Sequence, residues 1–262
     1  PPPPPPPPRP PPPTTLELDR RQRQMCIRDS RAPPYRVSSL FTGAAYMRGI
    51  FITLEGGEGS GKSTLIKGLM AQAETQGRVA VCTREPGGTP LAEALRSLML
   101  TPPDNERWNA LSLALLMNAA RADHLEKKIR PALKAGKWVI SDRFSDSTLV
   151  YQSLQKGVDL NWLKGLETHI LGATQPDITF ILDAPVDKLL QRRDLRQGPG
   201  DVFEDKPLQF HENVRQAFLK LAKTDADRYK ILDALLPPDM LIEQAWDIIL
   251  TLGLERGGHG DG

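Results

Sequence analysis

Residues 56–64 read GGEGSGKST, the first place in the chain where residue types and spacing could do chemistry. The run fits G-x-x-x-x-G-K-[ST], with Gly56, Gly61, Lys62 and Ser63 on the fixed positions. Glycines there let successive backbone N–H groups point inward around phosphate oxygens. A helix starting at this point adds the positive end of its dipole. Lys62 would pair with β- and γ-phosphates, and Ser63 would offer its hydroxyl to Mg²⁺. Gly57, Glu58, Gly59 and Ser60 fill the variable positions, and Thr64 closes the run. The expectation is a nucleoside triphosphate site.

The elements around this loop fit it. Ile50, Phe51, Ile52, Thr53 and Leu54 form a short apolar run before it, a buried strand. Leu65, Ile66, Leu69 and Met70 give a helical stripe after it, stopped at Gly77. A second strand over 79–82 leads into TREPGGT at 83–89. Ligands lie beyond the carboxyl edge of open parallel sheets, so Arg84 and Glu85 are expected to face the nucleotide crevice. A helix over 91–100 carries Arg96, and a longer one over 108–129 carries Arg121, with Leu111, Leu115 and Leu125 on its apolar face. On pattern alone both arginines could be ordinary solvated charges. A third strand over 138–140 ends in Ser141-Asp142-Arg143. An acid there is either a second Mg²⁺ handle or a helix cap. The polar run at 146–152 begins a helix and can offer hydroxyl and amide groups to a base edge.

A fourth strand over 178–182 is followed by a helix from 186 that turns basic and then breaks at Gly198-Pro199-Gly200. Composition leaves two readings of this stretch: a mobile arginine-bearing lid over about 191–204, or an exposed helix end whose bases suit the dipole. A helix over 211–223, a strand over 229–232 and a helix over 239–252 complete the chain. Five strands alternating with helices imply an α/β P-loop NTPase fold: a five-stranded parallel sheet with helices on both faces, bearing a short mobile lid on the first reading of the basic stretch.

Bulk properties narrow the function. The net charge of +2 implies no polyanion-binding field and hence no nucleic-acid partner. Two cysteines, Cys26 and Cys82, give neither a disulfide framework nor metal spacing, which favours a reducing cytoplasm. No apolar stretch is long enough to span a membrane. Residues 1–46 differ from the rest: a proline tract over 1–13 broken only by Arg9, then Arg-rich sequence including RQRQMCIRDS, which resembles translated sequencing adapter. A ligand for proline-recognition domains or a transit peptide is one reading; the favoured one is a disordered or non-native extension, with a P-loop domain over 47–256 and a flexible tail over 257–262.

Several motifs recur together. LEGGEGSGKST at 54–64, TREPGGTPLAEALRSLML at 83–100, AARADHL at 119–125, DRFSDSTLVYQ at 142–152 and PDITFILD at 176–183, with the basic stretch after 191, resemble the bacterial thymidylate kinases. The resemblance implies transfer of the γ-phosphoryl group of ATP to dTMP, with Mg²⁺, in a homodimer. It implies that Lys62 and the loop amides hold the donor phosphates, and that Ser63 and Asp142 hold the metal, with Glu85 helping to place it. Arg84 and Arg143 match positions that grip the acceptor phosphate, Glu58 the acid that meets the sugar 3′-hydroxyl, and Arg96 and Arg121 residues around phosphate and base. Thr148 and Gln152 match readers of the thymine edge, and Tyr151 a residue packed on the deoxyribose. No arginine occupies the phosphate loop, since Ser60 stands between Gly59 and Gly61. Members of that family carry the transition-state arginine either in this loop or on the lid, so the resemblance implies a lid cation here, Arg192 or Arg196, with Arg193 between them.

Three positions depart from the family pattern. Met117 stands where a phenylalanine commonly stacks on thymine, residues 153–157 read SLQKG where a Gly-rich run with an arginine is usual, and Asp201 is followed by Val202 instead of arginine. Two alternatives follow: a kinase for another nucleoside monophosphate or deoxynucleoside, or a nucleotide-binding protein without turnover.

Overall fold

A computed structural model describes residues 48–154, 158–194 and 206–257. The expected extension, most of the 153–157 departure, the lid residues 195–205 with Arg196 and Val202, and residues 258–262 lie outside them. Five parallel strands form one sheet: β1 (Phe51–Gly56), β2 (Ala80–Arg84), β3 (Trp138–Asp142), β4 (Ile178–Asp183) and β5 (Tyr229–Asp233), in the order β2-β3-β1-β4-β5. The phosphate loop leaves the central strand, whose paired neighbours on both sides bury it completely.

Side chains alternate across β1. Ile52 and Leu54 join Leu65 and Leu69 of α1 (Lys62–Thr75) and Trp246 and Ile249 of α9 (Pro238–Gly257) in one apolar layer. Phe51 joins Leu125, Ile129 and Phe144 in another layer. Each of these large side chains contributes roughly 2 kcal/mol by leaving water. Thr53 and Glu55 share the parity of Phe51 along β1. Both are fully buried, and the Thr53 hydroxyl bonds that of Thr179 at 2.8 Å.

The remaining helices are α2 (Pro90–Leu100), α3 (Ala110–His124), α4 (Arg130–Lys134), α5 (Ser145–Ser153), α6 (Leu160–Leu171), α7 (Val186–Asp194) and α8 (Leu208–Ala222). Two differ from the sequence expectation. The helix expected over 108–129 is regular to His124 and continues as a π turn over Leu125–Ile129, in which Arg130 N donates to Leu125 O. Pro131, next in the chain, has no N–H to give. Leu111 and Leu115 of α3 are exposed, because its inward stripe carries Leu113, Ala114, Asn118, Arg121 and His124. The second difference is α6, which was not anticipated. Asp159 caps it by accepting from Asn161 N and Trp162 N, and Gly172 follows its last residue.

Candidate active site

The phosphate loop is shaped by backbone that only glycine tolerates. Gly56 (φ +129°) and Gly59 (φ +76°) are left-handed, and a Cβ on either would overlap a carbonyl oxygen, that of Leu182 or Leu189. Gly61, also left-handed, stands at the N-terminus of α1 with no side chain capping its amides. Open amides and a helix dipole here make an anion site. Lys62 Nζ donates to Gly56 O at 3.2 Å and Gly57 O at 3.1 Å, curled back on its own loop. Burial, and Arg143 beside it, push this ammonium below the usual lysine range. Ser63 and Thr64 are exposed on the first turn of α1. Asp142, at the end of β3, has a buried Oδ1 with no hydrogen-bond partner. Ser60 Oγ is also buried and without a partner.

Arg143 follows Asp142 with φ +66°, a conformation uncommon for a residue with a Cβ. Its guanidinium is held on three sides: by the Glu58 carboxylate, by Ser147 Oγ at 3.0 Å, and by the Tyr151 ring 5.4 Å away. Behind it, the N-cap position of α5 is Phe144, whose side chain cannot cap a helix. Glu55 does so from β1: Oε1 accepts from Phe144 N at 2.8 Å and Ser147 N at 3.3 Å, and Oε2 from Ser147 Oγ at 2.6 Å. Burial, then the nearby Asp146, raises this carboxyl to about 7, against the pull of Arg143. Asp146 is itself held by Arg228 and by Tyr229 OH at 2.8 Å.

A second guanidinium is almost wholly enclosed. Arg121, 2% exposed, donates from Nε to Glu85 at 2.8 Å, from Nη1 to Asn118 and Glu167 at 3.2 Å each, and from Nη2 to Thr148 Oγ1 at 2.7 Å. Glu85 also bonds His124 Nδ1 at 3.0 Å, and His124 Nε2 meets Thr83 Oγ1 at 2.7 Å. Thr83 donating to Nε2 while Nδ1–H donates to Glu85 satisfies a neutral imidazole at both nitrogens. Thr148 Oγ1 lies 3.7 Å from Met117 Sδ.

These groups open into one cleft of about 230 Å³. Its lining combines the loop residues Glu58–Ser63 with Arg84, Glu85, Asp142 and Arg143, and it includes the apolar Met99, Leu100, Leu113, Met117 and Phe144. Arg96, Arg121, Thr148 and Tyr151 belong to the same wall. Arg84 is paired with Glu93 at 2.9 Å, and Arg96 donates to Pro86 O at 2.9 Å. Other expected residues lie apart. Gly56 and Gly57 are outside this lining and border a second cavity, and Thr64 faces solvent. Gln152 is fully buried, outside the lining, with neither amide atom partnered. Arg192 donates to Ala234 O, away from the cleft lining. Glu55, His124 and Glu167 were not anticipated. The signal for the first two was available: an acid inside an apolar strand, and a histidine one turn from Arg121.

A parallel sheet with a glycine-built phosphate loop on its central strand, and arginines gathered across one cleft, defines a P-loop phosphotransferase. The family model described as Thymidylate kinase matches residues 54–245. The chain is 47% identical to the thymidylate kinase of Chlamydia trachomatis serovar D over 198 residues, covering 75% of this chain and 96% of that protein. It is 42% identical to that of Caulobacter vibrioides over 208 residues, covering 79% and 99%. The crystal structure of thymidylate kinase from Ehrlichia chaffeensis superimposes with a TM-score of 0.61 at 30% identity, covering 78% of this chain and 99% of that one. The chain belongs to the thymidylate kinase family. Its activity is phosphorylation of dTMP by ATP.

Proposed function

We propose that the cleft binds both substrates end to end, with ATP on the phosphate loop and dTMP along the wall from Arg143 to Arg121. The observation that carries this is the single opening shared by Lys62, Asp142, Arg143, Arg121 and Thr148. Lys62 exchanges its two loop carbonyls for phosphate oxygens when ATP arrives, and its bonds to Gly56 O and Gly57 O hold it at the loop meanwhile. Arg143, aided by Arg84, holds the acceptor phosphate as a guanidinium fork. Glu58 then balances Arg143 and faces the sugar, while Met117 and Phe144 offer the base an apolar seat. Arg121 and Thr148 meet its polar edge. A loose phosphoryl-transfer transition state leaves the protein mainly positioning and charge neutralisation to perform. A lid arginine, Arg192 or Arg196, completes the cation set.

The buried, unpartnered oxygen of Asp142 and the exposed hydroxyl of Ser63 line the same cleft, a fit for Mg²⁺. Among the described residues no group of three His, Cys, Asp or Glu is gathered for a metal. That suits an ion that takes most of its ligands from phosphate and water. Asp142 and Ser63 would hold the ion, and the chemistry it would supply there is charge neutralisation of the donor phosphates. Glu85 is committed to Arg121 and His124, so its part in placing the metal is indirect.

We further propose a homodimer through the outer faces of α2 and α3, on which Leu91, Leu98, Leu111 and Leu115 are each exposed. No helix among the described residues is long and apolar enough to cross a membrane, and we place the enzyme in the cytoplasm. The deciding experiment is ADP release with dTMP, dUMP, dCMP, dGMP and thymidine side by side. The highest kcat/KM is expected with dTMP, and a preference for any other acceptor overturns the assignment of the base site.

A further inference from the structure

Arg121 has five N–H donors in a rigid fork and no acceptor. Among the described residues four are engaged: Nε by Glu85, two on Nη1 by Asn118 and Glu167, and one on Nη2 by Thr148. One Nη2 donor remains, beside the Thr148 hydroxyl in the cleft wall. Glu167 acts on this fork from outside the cleft. It stands on α6, is 3% exposed, and is absent from the lining. Asn118 and Glu85 have other partners, Ala114 O and His124, whereas the carboxyl of Glu167 bonds Arg121 among the described residues. Burial raises the Glu167 carboxyl to about 8, and in either protonation state a carboxyl oxygen can accept from Nη1.

We infer that Glu167 is a positioning residue for base selection: by holding Nη1 it turns one Nη2 donor into the cleft and selects a base with a carbonyl acceptor there over one with an amino group. The inference rests on the base lying against Arg121 and Thr148, as proposed above. An amino group opposite Nη2 would set N–H against N–H and leave both without an acceptor. A site built to hydrogen-bond one ligand rejects its mismatched analogue for that reason.

The test is steady-state kcat/KM with dTMP and with dCMP, and KM for ATP as the measure of an intact donor site. Glu167→Ala is expected to lower the dTMP-to-dCMP ratio by about tenfold. Glu167→Gln, whose amide carbonyl still accepts from Nη1, is expected to retain it, with KM for ATP unchanged in both. An unchanged ratio in Glu167→Ala, or an equal loss in Glu167→Gln, overturns the inference. If Glu167→Ala does not fold, Glu167→Asp, one methylene shorter, is read in the same way. Arg121→Lys separates the premise. A ratio lost there but kept in Glu167→Ala defeats the inference alone, and a ratio kept in Arg121→Lys removes the base from this corner and defeats both.

Discussion

Ser147 Oγ donates a 2.6 Å hydrogen bond to Glu55 Oε2 and accepts one of 3.0 Å from Arg143 Nη1. Through this hydroxyl, a carboxylate buried at the end of β1 fixes the direction of a guanidinium in the cleft. The same carboxylate satisfies the amides of Phe144 and Ser147 that α5 would otherwise leave open.

Glu55→Ala is therefore expected to destabilise the protein by roughly 2–4 kcal/mol, the cost of buried N–H groups left without acceptors. It should also lower kcat/KM for dTMP by about tenfold or more, with KM for ATP little changed, because Arg143 loses its support. Thermal unfolding and a two-substrate kinetic matrix check both. Equal losses on the two substrates would mean general loosening instead of loss of Arg143 alignment.

The lid arginines carry a second expectation. Arg192→Ala or Arg196→Ala should lower kcat by on the order of 10³, with KM for dTMP nearly constant, as for a cation engaged mainly in the transition state. Because Arg192 donates to Ala234 O in this structure, it must exchange that bond to act. If Arg196→Ala alone has the large effect, Arg192 is a structural tie between α7 and the end of β5. If neither variant loses kcat, the catalytic cation lies elsewhere.

The pH dependence of stability follows from two buried acids. Glu55 is raised from 4.5 to about 7, and Glu167 from 4.5 to about 8. A carboxyl with a raised folded pKa binds its proton more tightly in the folded state. Its contribution is complete below the unfolded pKa and is lost as pH rises through the folded one. Between about pH 5 and pH 8, wild-type Tm should thus fall relative to Glu167→Gln, which does not titrate. A difference of roughly 3–4 kcal/mol across that window is expected. Parallel Tm profiles for the two proteins would rule out a proton on Glu167.

How much of this was legible follows from how each feature is encoded. The phosphate loop is a contiguous run whose glycines answer to local φ angles, so residues 56–63 announce it. The five strands are apolar runs separated by helical periodicity, and all five were found in order. Glu55 and Glu167 are single acids whose neighbours there are apolar or unremarkable in sequence. Their meaning arises only when α5 is set against β1 and α6 against α3. The apolar face of α3 divides for the same reason: Leu125 just beyond it is buried, while Leu111 and Leu115 stay exposed because the inward stripe carries Asn118, Arg121 and His124. Helix α6 had a readable start at Asp159 and stop at Gly172, and was passed over.

The contact of Gly59 with Leu189 carries one more consequence. It is main chain against main chain, without rotamers to absorb misfit. The donor-phosphate loop and the root of the segment bearing Arg192 are thereby surveyed from one fixed benchmark. Any cation delivered from beyond Asp194 starts from a known origin, so its reach is governed by the length and stiffness of the chain that follows. Shortening or lengthening that chain would retune the enzyme without touching a single residue of the cleft.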